Sequence, residues 1–308
     1  MNKRAKVWAL PAEEDWICDR LVSEFVTGNP DIAVGRLEDA NIIWLLSDWR
    51  WRHVPWDQLS GKTVVTTVHH IVPEKFGPAD RRDFEFRDKV TDAYHVYNQR
   101  TYDTVRGLTM KPVRLIPYWA NGDLFHPSQR SKSDVRSELG LPADDFIIGS
   151  FQRDTEGRDL RSPKLEKGPD LFCDAVEAWV AQGRSDGRRI SVALGGWRRQ
   201  YVIGRLQAAG IPFCYLERPP IPTLIKMYEA IDLYPVTARH EGGPQALLEC
   251  GMMGVPVVSR PVGIAEQVLP TCAIHEDVTQ AYPMVPRVDR FLIPSGFEAY
   301  RSFFQELL

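Results

Sequence analysis

Glu241 and Glu249 stand eight positions apart around Gly242-Gly243-Pro244, and that spacing sets the chemistry to look for. Gly242 and Gly243 let the backbone turn sharply or pass close to a ligand. Pro244 suits the first position of a helix, where its missing N–H costs nothing. Ala246, Leu247, Cys250 and Met253 then recur at helical spacing, with Leu248 beside them. Gly254 is placed to end that helix in a left-handed conformation. Val255, Val257 and Val258 read as a buried strand of a parallel sheet. A helix starting there aims its first amides out of the carboxyl end of the sheet, which is an anion site. Carboxylates beside an anion make sense when the ligand also carries hydroxyls for them to accept from. A diphosphate flanked by sugars meets both demands. The plainer alternative is a strand–helix unit with two solvated glutamates.

Two other stretches add groups of matching chemistry. Val64-Val65-Thr66-Thr67-Val68 is a strand that delivers His69 and His70 at its carboxyl end, where open α/β sheets take ligands. Phe146 to Phe151 is a strand followed by a cationic loop carrying Arg153, Arg158, Arg161, Lys164 and Lys167. A leaving diphosphate gains charge in the transition state, and preorganised cations stabilise it. A charged loop is ordinarily solvated surface; its place after a strand raises this one above that.

Together these stretches resemble the retaining "group 1", GT4-type glycosyltransferases of the GT-B fold. The match is most specific over residues 239–259 and extends over about residues 60–270. The resemblance implies an α/β chain of two Rossmann-like domains whose parallel sheets face across a cleft. It assigns Glu241 to the donor sugar and Glu249 to the ribose. Arg153 and Lys167 fall at the family's diphosphate-binding positions, with Lys164, Arg158 or Arg161 as alternates because the loop is long. The amides of Gly242 and Gly243, with Pro244, complete the diphosphate cradle. His69 matches the family histidine facing donor sugar and acceptor, with His70 in reserve. Glu217-Arg218-Pro219-Pro220 is the loop against which the family lays the base, making Arg218 a donor contact. Gly263-Ile264-Ala265-Glu266 resembles the family's Gly-Gly-x-x-Glu turn. The reaction implied is transfer of a sugar from a UDP- or GDP-linked donor to a hydroxyl acceptor, which is a glycan, a lipid-linked sugar or a small molecule. The absence of an Asp-x-Asp pair argues against a metal-dependent GT-A enzyme, so neither metal nor cofactor is expected. A sugar-nucleotide epimerase, a phosphorylase and a non-catalytic sugar-nucleotide-binding protein are the rival readings.

These residues need two sets of elements to hold them. Strands are expected at Lys6–Leu10, 32–34, 41–46, 63–68, 94–97 and 113–116, alternating with helices from Asp15 to Thr27, 83–90 and from Thr101. Trp16, Leu21, Val22 and Phe25 form the inner face of the first helix. Val113 to Pro127 resembles the family's strand and exit loop, with Tyr118-Trp119 in place of Asn-Gly. It places the domain boundary at 127, a second domain at 128–294, and a terminal helix at 295–308 that in such enzymes crosses back to the first. No Gly-x-Gly-x-x-Gly follows the first strand, so a nicotinamide or flavin site is unsupported. Trp44, Trp49, Trp51 and Trp56 cluster with Arg50, Arg52 and His53. They can stack on sugars, lie at a membrane interface, or pack as a half-buried loop.

The 308 residues suffice for two domains of ordinary size, and a net charge of −3 leaves no basic footprint for nucleic acid. Five scattered cysteines, with no Cys-x-x-Cys, suggest reduced core residues of a cytoplasmic protein. The basic start, Met1 to Lys6, is followed by an apolar run that stops at Pro11 and Glu13, too short for a signal peptide or a span. Membrane association is therefore at most peripheral.

Overall fold

A computed structural model describes residues 3–14, 17–183, 185 and 187–308. Asp15 and Trp16, assigned above to the first helix, lie outside the described residues, as does the side chain of Trp56. The chain forms two compact units, Met1–Asn121 with Arg290–Leu308, and Gly122–Asp289. The sequence reading put these passages at 127–128 and 294–295.

The first unit runs β1 (Val7–Ala9), α1 (Ile17–Gly28), β2 (Ile42–Leu45), β3 (Thr63–Val68), α2 (Pro78–Asp88), β4 (Ala93–Val96), α3 (Gln99–Arg106) and β5 (Val113–Leu115). Its five strands pair in parallel in the order β1-β2-β3-β4-β5. Both faces of such a sheet are covered, so β2 and β4 are buried at every position. Residues 32–34 fall short of a strand. They make one parallel bridge, Val7 to Ala33, because the turn at 29–32 leaves no length to pair. The terminal helix, Glu298–Glu306, belongs to this unit, and its Tyr300, Phe303 and Phe304 are buried with Phe297 just before it. The rings meet those of α1, β2 and the segment after β5: Phe25–Phe304 at 5.8 Å, Trp44–Phe304 at 5.2 Å, Trp119–Phe297 at 4.9 Å.

Trp44 is therefore removed from the surface cluster suggested above. It is fully buried on β2 and donates its indole N–H to Thr67 Oγ1 at 2.8 Å. The rest of that cluster is neutralised locally. Arg50 pairs with Glu13, Arg52 with Asp83 and Arg87 with Asp48, and the Trp51 indole donates to Asp83. Trp49 remains 45% exposed.

The second unit runs α4 (Lys132–Glu138), β6 (Phe146–Phe151), β7 (Thr155–Glu156), β8 (Ser162–Pro163), α5 (Pro169–Gln182), β9 (Ile190–Gly196), α6 (Gln200–Ala208), β10 (Phe213–Glu217), α7 (Ile221–Ala230), β11 (Tyr234–Val236), α8 (Gln245–Met253), β12 (Val257–Ser259) and α9 (Ala265–Val268). β10, β9 and β6 pair in parallel, and so do β11 and β12; a bridge from Ile148 to Leu233 joins the two sets. One sheet order, β10-β9-β6-β11-β12, follows. Its covering core includes Phe172, Val176, Trp179, Val192, Leu194 and Val202. The cationic loop is not irregular: β7 and β8 form a small antiparallel hairpin within it.

Candidate active site

The loops leaving the carboxyl ends of β6 and β11 carry Arg153, Lys164, Lys167 and Glu241, and they are laced together, while Arg218 follows β10 and is exposed. The amides of Arg239 and His240 donate to the carbonyl of Glu166 at 2.9 and 3.1 Å. Thr237 Oγ1 donates to the carbonyl of Gly168 at 2.9 Å. The Arg239 guanidinium forks onto Asp170 at 2.8 and 2.5 Å and donates to the Leu165 carbonyl at 2.8 Å. Gly168 makes this approach possible. Its φ of 62° is left-handed, and a Cβ there would lie 2.0 Å from the Thr237 carbonyl oxygen.

The lacing brings together two residues 74 positions apart. Lys167 Nζ donates to Glu241 Oε1 at 2.5 Å, with side chains only 18% and 13% exposed. Lys164 lies alongside, 3.6 Å from Glu166. Burial, with the neighbouring Lys167 charge second, lowers its pKa below that of an ordinary lysine. The field of Arg153 reaches the same ammonium. So Lys164, Lys167 and Glu241 form one charged cluster, with Arg153 at its border. Arg158 and Arg161 sit apart from it, exposed on the β7–β8 hairpin.

Gly242 and Gly243 are buried, and α8 starts one residue later than the pattern suggested, so that Pro244 is its N-cap. Leu247, Leu248, Cys250 and Met253 are buried, and Gly254 closes the helix at φ 68°. Gly263 backs the loop. A Cβ there would meet Pro244 Cδ at 2.7 Å and Gly243 Cα at 3.0 Å. Glu249 is itself buried, and its Oε2 accepts from the Tyr228 hydroxyl at 2.6 Å. Burial keeps that phenol protonated, raising its pKa well above the usual value. Tyr228 carried no signal in the sequence; α7 places it there.

The frame under the loops is a second feature the sequence did not reveal. Arg199 and Asp154, 0% and 1% exposed, form an ion pair between the ends of β9 and β6. Arg199 also donates to the Gly195 carbonyl at 2.6 Å and to Ser150 Oγ at 2.9 Å, and to the Ser150 carbonyl. The Asp154 carbonyl accepts from the Lys164 amide at 2.7 Å. Such a pair, once buried, holds its surroundings to one geometry, since losing either partner strands a charge.

His69 belongs to the first unit, at the end of β3. The Leu46 carbonyl, 2.8 Å from Nε2, can only accept, so Nε2 carries the proton. Nδ1, 2.8 Å from the Tyr118 hydroxyl, then accepts from it. Tyr118, which replaces the family residue, thus anchors the histidine, and it stacks on Tyr97 at 3.5 Å between ring centroids. Cys18 Sγ lies 3.9 Å from Nε2, and burial pushes its thiol pKa up to about 11.

No protein-family model matches this sequence, and no curated protein matches it. Solved structures do. The Anabaena HepE protein in complex with UDP and glucose superposes with a TM-score of 0.68 at 13% identity, over 87% of this chain and 83% of that one. Sucrose-phosphate synthase of Thermosynechococcus elongatus gives 0.57 at 19% identity, over 83% of this chain and 63% of that one. A UDP-forming α,α-trehalose-phosphate synthase from Burkholderia xenovorans gives 0.55 at 13% identity, over 96% and 82%. The fold is GT-B. At these identities the likeness is one of fold. Within the GT-B chain, the lysine–glutamate cluster lies wholly in the second unit and His69 wholly in the first. Among the described residues, no helix is long and apolar enough to cross a membrane.

Proposed function

We propose that this chain is a retaining, GT4-type glycosyltransferase that moves a sugar from a nucleotide-diphosphate sugar to a hydroxyl acceptor without a metal ion. The observation that carries the reading is the contact of Lys167 with Glu241 at the carboxyl ends of β6 and β11, beside Lys164. Anabaena HepE is solved with UDP, with UDP-glucose and with UDP and glucose, which makes a UDP-linked donor the first to test.

In this reading Lys167 and Lys164 meet the diphosphate, with Arg153 at their edge. The backbone at Gly242, Gly243 and Pro244 lines the same anion. Glu241 accepts from donor-sugar hydroxyls and holds Lys167 at a fixed place. Glu249 takes a ribose hydroxyl through the carboxylate that Tyr228 orients. The acceptor oxygen attacks the anomeric carbon as the carbon–oxygen bond to phosphate breaks. The electron pair leaves with the nucleoside diphosphate, and a phosphate oxygen on the same face takes the acceptor proton. The lysines stabilise the charge that builds on the leaving group. His69 offers its imidazole to the sugar and acceptor by exchanging its Tyr118 bond for one to substrate.

Calorimetry with UDP tests the anion site. Lys167→Ala should weaken binding about tenfold or more, the worth of a charge-assisted hydrogen bond. Glu241→Gln should leave UDP bound at least as tightly, because it uncovers the Lys167 charge, while transfer from UDP-sugar falls by orders of magnitude. UDP affinity unmoved in Lys167→Ala removes that lysine, and the reading with it.

A further inference from the structure

Trp49 stands beside His69 in the first unit, and no step of the transfer described above uses it. It lies in the turn Asp48–His53 that follows β2, 45% exposed, with its ring centroid 5.8 Å from that of His69 and the two planes 39° apart. Among the described residues His69 is the one ring it meets, and its indole N–H has no hydrogen-bond partner. Its neighbours are all held. Arg50 pairs with Glu13 at 2.6 Å, and Asp48 with Arg87 at 2.9 Å. Arg52 pairs with Asp83 and lies 4.4 Å over the Trp51 ring, whose N–H donates to Asp83 at 3.3 Å. A fixed turn thus presents one indole whose face and N–H are unspent.

The chemistry around that indole decides what it can take. Arg50, Arg52 and Arg87 are matched by Glu13, Asp83 and Asp48, so these ion pairs sum to no net charge. A membrane-binding face needs several apolar side chains and uncompensated basic ones. Trp49 is the one exposed apolar side chain of its turn. A pyranose fits such a place. One of its faces is made of C–H groups, which the electron-rich face of an indole attracts, and its rim is made of hydroxyls, which accept from an N–H. A pyranose on the indole has the His69 imidazole beside it. To take a hydroxyl there, His69 must release Tyr118. The Tyr97 hydroxyl lowers the cost of that release: it is buried with no hydrogen-bond partner, on a ring stacked 3.5 Å from that of Tyr118. It can accept from Tyr118 once the histidine turns to substrate, so the exchange strands no phenol.

We propose that Trp49 is the platform of an acceptor subsite and that the acceptor is a carbohydrate, with a pyranose lying on the indole and one of its hydroxyls at His69. Calling that sugar the acceptor rests on the glycosyltransferase reading above; pyranose binding at Trp49 does not.

Fluorine NMR of the full chain labelled with 5-fluorotryptophan tests this. The chain has nine tryptophans, and the resonance lost in Trp49→Phe is that of Trp49. The probes are the methyl pyranosides of glucose, mannose, galactose and N-acetylglucosamine. At least one should shift the Trp49 resonance saturably, while sorbitol, an open-chain polyol, leaves it in place. Calorimetric affinity for that pyranoside should fall about fivefold or more in Trp49→Ala and less than about threefold in Trp49→Phe, which keeps an aromatic face. UDP affinity should stay within about twofold in both variants. The shift is read in the unaltered sequence, so it decides the matter even if Trp49→Ala does not fold. No shift with any of the four pyranosides, an equal shift with sorbitol, or pyranoside affinity unmoved in Trp49→Ala overturns the proposal. Broadening of the resonance by phosphatidylglycerol–phosphatidylethanolamine vesicles, with no response to sugars, makes the turn a membrane contact and overturns it too. If UDP does not bind, the donor reading fails separately, and the sugar titrations, which need no nucleotide, still decide this one.

Discussion

At Gly168 any side chain meets a wall. The left-handed φ of 62° and a Cβ 2.0 Å from the Thr237 carbonyl oxygen act together. Gly168→Ala must open the lacing between the two loops, and the loops carry Lys167 and Glu241. A loss of roughly 2–4 kcal/mol in stability is expected, combining backbone strain with displaced packing. A second effect should appear in function: UDP affinity falls although no ligand-facing group is deleted. Thermal unfolding and UDP calorimetry on the same variant measure both. Wild-type stability in Gly168→Ala would mean the loops part freely, and the Lys167–Glu241 contact would lose its fixed place. The Lys-Gly dipeptide was legible in the sequence, but the carbonyl that demands the glycine lies 69 residues away in the chain. The same holds for Glu249, whose position was legible and whose partner Tyr228 was not.

At the scale of elements, adjacent strands β3 and β4 each contribute a histidine bound on both ring nitrogens. His95 is the buried one. Its Nε2 donates to the Ile116 carbonyl at 2.9 Å, and its Nδ1 accepts from Thr67, whose oxygen accepts in turn from the Trp44 indole. Burial pulls its pKa from 6.5 down to about 3. Between those values the unfolded chain binds a proton that the folded unit refuses. The stability this histidine contributes is complete above pH 6.5 and is lost as pH falls toward 3, by up to about 5 kcal/mol. Denaturant unfolding of the first unit from pH 7 to 4 should show an extra slope of about 1.4 kcal/mol per pH unit in the wild type that His95→Gln lacks. Equal slopes would mean the imidazole already titrates in the folded state.

Whole elements were more legible than their partners. β3 and β6 have the bounds the apolar runs suggested, because each is long enough for its apolar pattern to dominate. The β7–β8 hairpin escaped notice because two residues a side carry no period, and Leu160 and Pro163 are its only apolar side chains. The terminal helix was plain in the sequence, whereas the rings that cover its aromatic side chains come from α1, β2 and the segment after β5. The Arg199–Asp154 pair was invisible because nothing local distinguishes a charge destined for full burial.

At the scale of the molecule, the two units hold separate sets of chemistry, and a donor that binds the second should be felt first there. A ligand stabilises the unit it binds by RT ln(1 + [L]/Kd), about 2.7 kcal/mol at a hundredfold excess over Kd. Hydrogen exchange resolves where that free energy acts, since each unit has its own buried, hydrogen-bonded strands. With UDP at that excess, amides of β6, β9 and β11 should slow by up to about a hundredfold in the exchange that requires opening of their unit. Those of β2, β3 and β4 should slow far less. Lys167→Ala should shrink the difference at a fixed UDP concentration, and Glu241→Gln should preserve it. The contrast separates a donor site from an acceptor site without any knowledge of the acceptor. Protection confined to β3 and the His69 loop would put the nucleotide on the first unit, and the Lys164–Lys167–Glu241 cluster would then need another ligand.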